Sequence, residues 1–380
     1  MSIVVIAPDK FKGSLTAGQV ASHLARGLQE WGVPASGLRL VPMADGGEGT
    51  VDAAVAAGWA RHRDQVPGPL GDPITADYAI APGGQDAVVE LAQASGLALT
   101  RADPASARAA TSYGTGTLIR HALDHGVARI VLAVGGSACN DGGAGMMQAL
   151  GARLLDDAGQ ELAPGGDALR SLARVDLSGL DPRLATTPVV LAADVDNPLL
   201  GQHGAIAVYS RQKGADAPAR TDLEEGLQRW AEVVTGELPA TAAAKDQAGA
   251  GAAGGVGFAA LALLGAQRRS GIETVIEMTG LREQLTGADL AITGEGSLDE
   301  QSLYGKTPVG VAAAAREAGV PTVAVAGRTS LSDAQLAEHG ISACYPLTDV
   351  AAGVAEAIRH AGTLVEQLGA TIAEDHLSNR

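Results

Sequence analysis

A chain of 380 residues exceeds the length over which one hydrophobic core keeps growing, so two domains are expected. Its formal charge of −16 repels phosphate polymers at long range, and no basic stripe with interleaved aromatics offsets this, which argues against nucleic-acid binding. With 46% apolar, 3% aromatic and 18% charged residues the composition is that of a globular α/β protein, and no run of about 18 apolar residues offers a membrane span.

The start, Met1 to Ile6, lacks the basic segment and small-residue cleavage site of a signal peptide, and Cys139 and Cys344 lie far apart and outside metal-ligand spacing. A cytoplasmic protein without disulfides or structural zinc is expected. In chain order, Ile3 to Ala7 reads as a buried strand and Pro8 to Leu15 as a loop. Ala17 to Trp31 reads as an amphipathic helix capped by Thr16. A strand near Leu38 to Val41 leads into the glycine-rich loop Met43 to Gly49 and a helix from Thr50 to Ala57. From Arg61 to Glu90 the prolines at 67, 69, 73 and 82 predict hairpins and a domain crossing.

A helix near Gly116 to His125 precedes the strand Arg129 to Val134 and a loop with five glycines between Gly135 and Gly145. The strand Val189 to Ala193 runs into Asp194-Val195-Asp196-Asn197-Pro198, and a helix follows between Thr221 and Val234. Five glycines in Gly249 to Gly257 imply close approach of a helix or a ligand. The last third alternates again: strand Asp289 to Thr293, loop Gly294 to Thr307, helix Val309 to Ala318, strands Thr322 to Ala326 and Ala343 to Pro346, and a helix from Val350. Residues after Glu374 are expected to fray.

In open α/β sheets ligands gather beyond the carboxyl ends of strands, which puts the chemistry in these loops. The 27 basic residues comprise 22 Arg and five Lys; Lys10 and Lys12 precede Gly13, Lys213 precedes Gly214 and Lys306 follows Gly305. A compact ammonium beside accessible amides suits phosphate. Gly305-Lys306-Thr307 suggests a P-loop, yet Glu300 stands where that motif needs its first glycine. Dinucleotide fingerprints also fail, because Ile119 and Asp299 occupy the third-glycine places after Gly114-Thr115-Gly116 and Gly294-Glu295-Gly296. The remaining loops pair glycine with Asp, Asn, Ser or Lys; freed amides can hold phosphate or carboxylate while the carboxylates orient hydroxyls or Mg²⁺. Taken singly, each loop also reads as a tight turn with side-chain capping.

Together these segments resemble the type I bacterial glycerate kinases. The resemblance rests on Asp9-Lys10-Phe11-Lys12-Gly13-Ser14, Asp45-Gly46-Gly47-Glu48-Gly49-Thr50, Gly135 to Gly143, and Thr293 to Gln301 with Gly305-Lys306. Tyr113 to Gly116, Asp194 with Asn197-Pro198-Leu199, and Gln212 to Ala215 match as well, in the same order over nearly the whole chain. It implies a flavodoxin-like α/β domain built from both chain ends, 1–65 plus 288–380, a second α/β domain at 66–287, and an active site in the cleft. ATP and Mg²⁺ are implied as cosubstrates, with D-glycerate phosphorylated at the 2-hydroxyl; a homodimer is left open.

From that resemblance and the loop chemistry, Lys10 is expected at the transferring phosphate or the glycerate carboxylate and Asp194 at the attacking hydroxyl. Asp45 or Asp299 is expected at Mg²⁺. Gly46, Gly47, Ser137, Asn140, Asp141, Gly294, Gly296, Gln301 and Lys306, with Asp45 and Asp299, make up the expected substrate and phosphate contacts. Asp194 and Asp299 read equally as turn or helix caps, Glu90 as either a site or a structural carboxylate, and Cys139 receives no catalytic role. Transfer to the 3-hydroxyl, a kinase of another small hydroxy acid, and a non-catalytic acid-binding protein are the competing readings.

Overall fold

The computed structural model describes residues 2–303 and 305–378. Its strands are, in chain order, β1 Val4–Pro8, β2 Leu38–Leu40, β3 Ala60–Pro67, β4 Pro73–Ile80, β5 Asp86–Glu90, β6 Arg129–Ala133, β7 Arg153–Leu155, β8 Arg174–Asp176, β9 Val189–Ala192, β10 Gln267–Arg269, β11 Leu290–Leu298, β12 Thr322–Thr329 and β13 Ile341–Pro346. Two units are resolved by their internal contacts: the chain up to Asp45 with Asp52–Gly58 and everything from Ser270 onward, and Gly46–Val51 with Trp59–Arg269.

The first unit is built on the parallel sheet β2-β1-β11-β12-β13. Counted within the unit, that order is 2-1-3-4-5, the flavodoxin-like winding, whose switch point lies between β1 and β11. Alternation along β1 explains the layers. Val4 and Ile6 pack with Leu24, Val365 and Leu368 on one face, while Val5 and Ala7 pack with Ile272, Val275 and Val311 on the other. The unit therefore reaches back to residue 270, because Gly271–Thr279 and Leu281–Leu285 cover that second face.

Helix Ala17–Trp31 starts on a reciprocal capping box: the Gln19 amide donates to Thr16 Oγ1 at 3.2 Å, and the Thr16 amide donates to Gln19 Oε1 at 2.9 Å. Its Gly27 lies against the Glu366 carbonyl of Ala361–Leu377, so a side chain there would separate the two helices. Against the expectation of fraying after Glu374, that last helix continues to Leu377; residues 379 and 380 lie outside the described ones. Leu377 is buried in the core, and the Tyr345 hydroxyl donates to Asp375 at 2.8 Å. A second departure from expectation is β11, which stays a strand through Leu298 instead of opening into a loop at Gly294. Without a side chain at Gly294, β12 can lie close and pair as far as Leu298 with Thr329.

The second unit carries the sheet β10-β9-β6-β5-β4-β3. The proline-punctuated segment forms the antiparallel hairpin β3–β4, from Ala60 opposite Ile80 to Pro67 opposite Pro73. β5, β6, β9 and β10 run parallel, and their carboxyl ends fall in one register row of Glu90, Ala133, Ala192 and Arg269. Its core includes Trp230, from helix Ala217–Glu237, set edge-on to Phe258 at 6.3 Å. Among the described residues, no helix is long and apolar enough to cross a membrane.

Candidate functional site

At the switch point of the first unit, Pro8 is in register with Gly294, and the Asp9 amide donates to the Gly294 carbonyl at 2.8 Å. Asp9 and Glu295 thus emerge side by side from β1 and β11. Asp9 is buried; its carboxylate accepts from the Lys10 amide at 2.6 Å and from the Thr307 hydroxyl at 2.9 Å, with the Lys10 ammonium 3.6 Å away. Burial raises the Asp9 carboxyl to about 6 against the pull of Lys10, and Asp45 adds to the rise. Burial likewise raises Glu295 to about 7, opposed by the Ser302 hydroxyl that donates to it and by Lys306, and reinforced by Asp9 and Asp45. Three carboxylates and two lysines therefore share one electrostatic environment. Lys306 is the N-cap residue of helix Thr307–Glu317, whose first residue is the Thr307 bonded to Asp9.

Asp299 has a local function. Its Oδ1 accepts from the Gln301 amide at 2.9 Å and its own amide donates to the Ser302 hydroxyl at 3.1 Å, so it caps the turn Glu300–Leu303 while Gln301 faces solvent. Gly296 sits 3.1 Å from the Lys12 amide when given a Cβ, which keeps the Asp9 to Ser14 loop close to β11. Among the described residues no three Asp, Glu, His or Cys side chains form a closed metal cage. A nucleotide-borne Mg²⁺ needs only one or two carboxylates beside its waters and phosphates, and the crowding of Asp9, Asp45 and Glu295 suits that donor set.

In the second unit the expected loops also come together, but through backbone. The Cα of Gly47 occupies the place a side chain on Gly135 would need, so Gly46-Gly47 packs on the loop after β6. Glu90 anchors this arrangement from the end of β5: fully buried, it accepts from the Val51 amide at 3.0 Å. Asp141 is taken up by its own loop and by the Thr111-Ser112 segment. It accepts from the Ser112 amide and hydroxyl at 2.8 and 2.9 Å, from Thr111 Oγ1 and the Gly145 amide at 3.2 Å, and from the Gly143 amide at 3.1 Å. Asn140 Nδ2 donates to the Ala107 carbonyl at 3.1 Å, and its buried Oδ1 has no hydrogen-bond partner among the described residues. Ser137 is buried in a bridge to Gly96. Asp194 lies half-buried just past β9, where Arg268 donates to the neighbouring Ala193 carbonyl at 3.1 Å and pairs with exposed Asp196 at 2.7 Å.

Lys213 Nζ donates to the Cys139 carbonyl at 2.7 Å, and burial lowers its ammonium to about 8. Cys139 is fully buried with its thiol pushed up, the opposite of a nucleophile's environment. The glycines of 249–257 serve this loop: Ala253, Gly254 and Gly255 are left-handed, and a side chain on Gly254 would strike the Cys139 carbonyl. Sequence reading missed Asp9, Glu295 and Thr307 as site residues, although all three lie in or beside the motifs it singled out. The register of β1 with β11 is the signal that joins them.

The sequence profile of the glycerate kinase family matches residues 4–377. A glycerate kinase of Halalkalibacterium halodurans is 44% identical over 98% of both chains, and the glycerate 2-kinase of Escherichia coli K12 is 44% identical over 94% of this chain and 93% of its own. The crystal structure of a Salmonella typhimurium LT2 protein assigned as glycerate kinase 2 superposes with a TM-score of 0.83, at 41% identity, over 99% of this chain and 98% of that one.

Proposed function

This chain belongs to the glycerate kinase family, and we propose that it transfers the γ-phosphoryl group of ATP to the 2-hydroxyl of D-glycerate, giving 2-phospho-D-glycerate and ADP. The observation that carries the reading is the Asp9, Asp45, Glu295, Lys10 and Lys306 cluster at the switch point of the first unit. Phosphoryl transfer passes through a loose transition state, so the protein's task is to position reactants and neutralise oxygens.

Lys10, steered by Asp9, meets the transferring phosphate or the glycerate carboxylate. Mg²⁺ carried by the nucleotide would neutralise its phosphate charge. Asp45 is the better carboxylate for it, since Asp299 is engaged as a cap. Asp194 orients the attacking hydroxyl and receives its proton. The Gly46-Gly47 and Gly135 to Ser137 amides hold anionic oxygens, while Asn140 and Asp141 fix the loop that presents them.

A coupled assay for ADP with D-glycerate and Mg²⁺, with the product resolved by phosphorus NMR, tests this. Glycerate-dependent formation of the 2-isomer is expected. The 3-isomer would overturn the regiochemistry, and no glycerate-dependent turnover would overturn the substrate.

A further inference from the structure

Within the second unit a cavity of about 540 Å³ opens among Leu70, Ala98, Leu99, Arg101, Ala105 and Ala109. Its walls come from the turn Leu97–Leu99 and the short helix Pro104–Ala109. These walls are fixed to the glycine loop after β6 at three points. The Leu97 amide donates to the Gly136 carbonyl at 2.8 Å. Asn140 Nδ2 holds the Ala107 carbonyl at 3.1 Å. Gly214, the residue after Lys213, packs on the Ala102 carbonyl, while Lys213 itself is bonded to Cys139. Ala102 is held in a left-handed conformation, φ 52°, at the rim. A non-glycine residue kept there costs backbone energy and marks a turn that its surroundings over-determine.

The lining is mainly apolar, and Leu70 and Leu99 remain 47% and 44% exposed, an unusual state for leucines that share a concavity. Arg101 stands exposed beside them and acts through space on Asp103, whose carboxylate is already committed to capping by the Ser106 amide at 2.8 Å. A small hydroxy acid presents no apolar face to such a lining. A purine does: it is flat, apolar on both faces, and stacks with guanidinium. The volume lies in the range of small-molecule sites.

Resting on the kinase reading above, we propose that this cavity binds the nucleobase and ribose of the ATP, with its phosphates directed toward the amides of Gly135 to Ser137. The bound base covers Leu70 and Leu99 and lies against Arg101. The three tethers couple occupancy of the cavity to the position of the glycine loop.

The test measures ADP binding by calorimetry and steady-state kinetics on the full chain. Ala105→Trp fills the cavity from an exposed position, and Leu99→Asp with Arg101→Ala alters its chemistry without adding bulk. Both are expected to weaken ADP binding and raise the KM for ATP by roughly tenfold or more, with the KM for glycerate unchanged. Wild-type ADP affinity in both variants would overturn the proposal, as would a rise in the glycerate KM alone. In either case wild-type turnover with glycerate would leave the kinase reading standing; loss of both ADP binding and turnover in the wild type would remove the two together.

Discussion

The loops at the switch point of the first unit and the glycine loops of the second solve the same problem, an anionic ligand on a chain of charge −16, with different materials. The first uses ionisable side chains: Asp9 and Glu295 are raised toward neutrality by burial, with Asp45 adding to both, while Lys10 opposes the shift at Asp9 and Lys306 that at Glu295. The second uses backbone. Its buried charges, Asp141, Glu90 and Lys213, point at amides, hydroxyls and a carbonyl of the fold itself. Neutralisation of phosphate charge and the titration of buried carboxyls should therefore reside in the first region, whereas the glycine loops of the second should respond to changes in shape.

Lys10→Met makes the largest break. Removing a cation aimed at developing phosphate charge should lower kcat by roughly 10³-fold while leaving the thermal midpoint nearly unchanged, because Lys10 is partly exposed. Steady-state kinetics beside a melting curve checks both halves. Gly254→Ala should act in the opposite sense. The left-handed backbone and the Cys139 carbonyl leave no room for a Cβ, so a loss of about 2–4 kcal/mol in denaturant unfolding is expected, with activity falling only through the displaced loop.

Glu295→Gln tests the titration. The folded protein holds this proton more firmly than the unfolded chain does, so ionisation of Glu295 costs stability as pH rises from 4.5 through about 7. The variant should therefore melt higher than wild type at pH 8, by roughly 2–5 °C, and show little difference at pH 5. Trp230→Phe is the smallest change: it forfeits the 3.0 Å hydrogen bond from Nε1 to the Gly142 carbonyl, about 1 kcal/mol, and should leave the pH profile in place.

Much of this division was legible in the sequence where local chemistry decides. Thr16 and Gln19 mark a helix start, the prolines after Arg61 mark the hairpin, and the loops expected after β1, β2, β6 and β9 do follow strand ends, whereas Gln212 to Ala215 lies between helices and Tyr113 to Gly116 opens one. What escaped was long-range. Nothing near Asp141 says that its carboxylate will be consumed by Ser112 and Thr111, and nothing near Asp9 announces Glu295. Both depend on segments far apart in the chain meeting in one register. Gly294 reads as opening a loop because glycine usually punctuates; in the fold it lets β12 approach. Glu90, ambiguous in an apolar run, is settled only by the Val51 amide it meets.

The most direct test is the pH dependence of kcat/KM for wild type and Glu295→Gln, measured with saturating Mg²⁺ATP and limiting D-glycerate between pH 5 and 9. Ionisation in the Asp9 and Glu295 pair predicts a wild-type rate that climbs through pH 6–7 and a variant whose acidic limb is shifted or lost. A wild-type profile flat across that range, or a limb unmoved by the substitution, would contradict the placing of the phosphate-facing, titrating charges in the loops of the first unit.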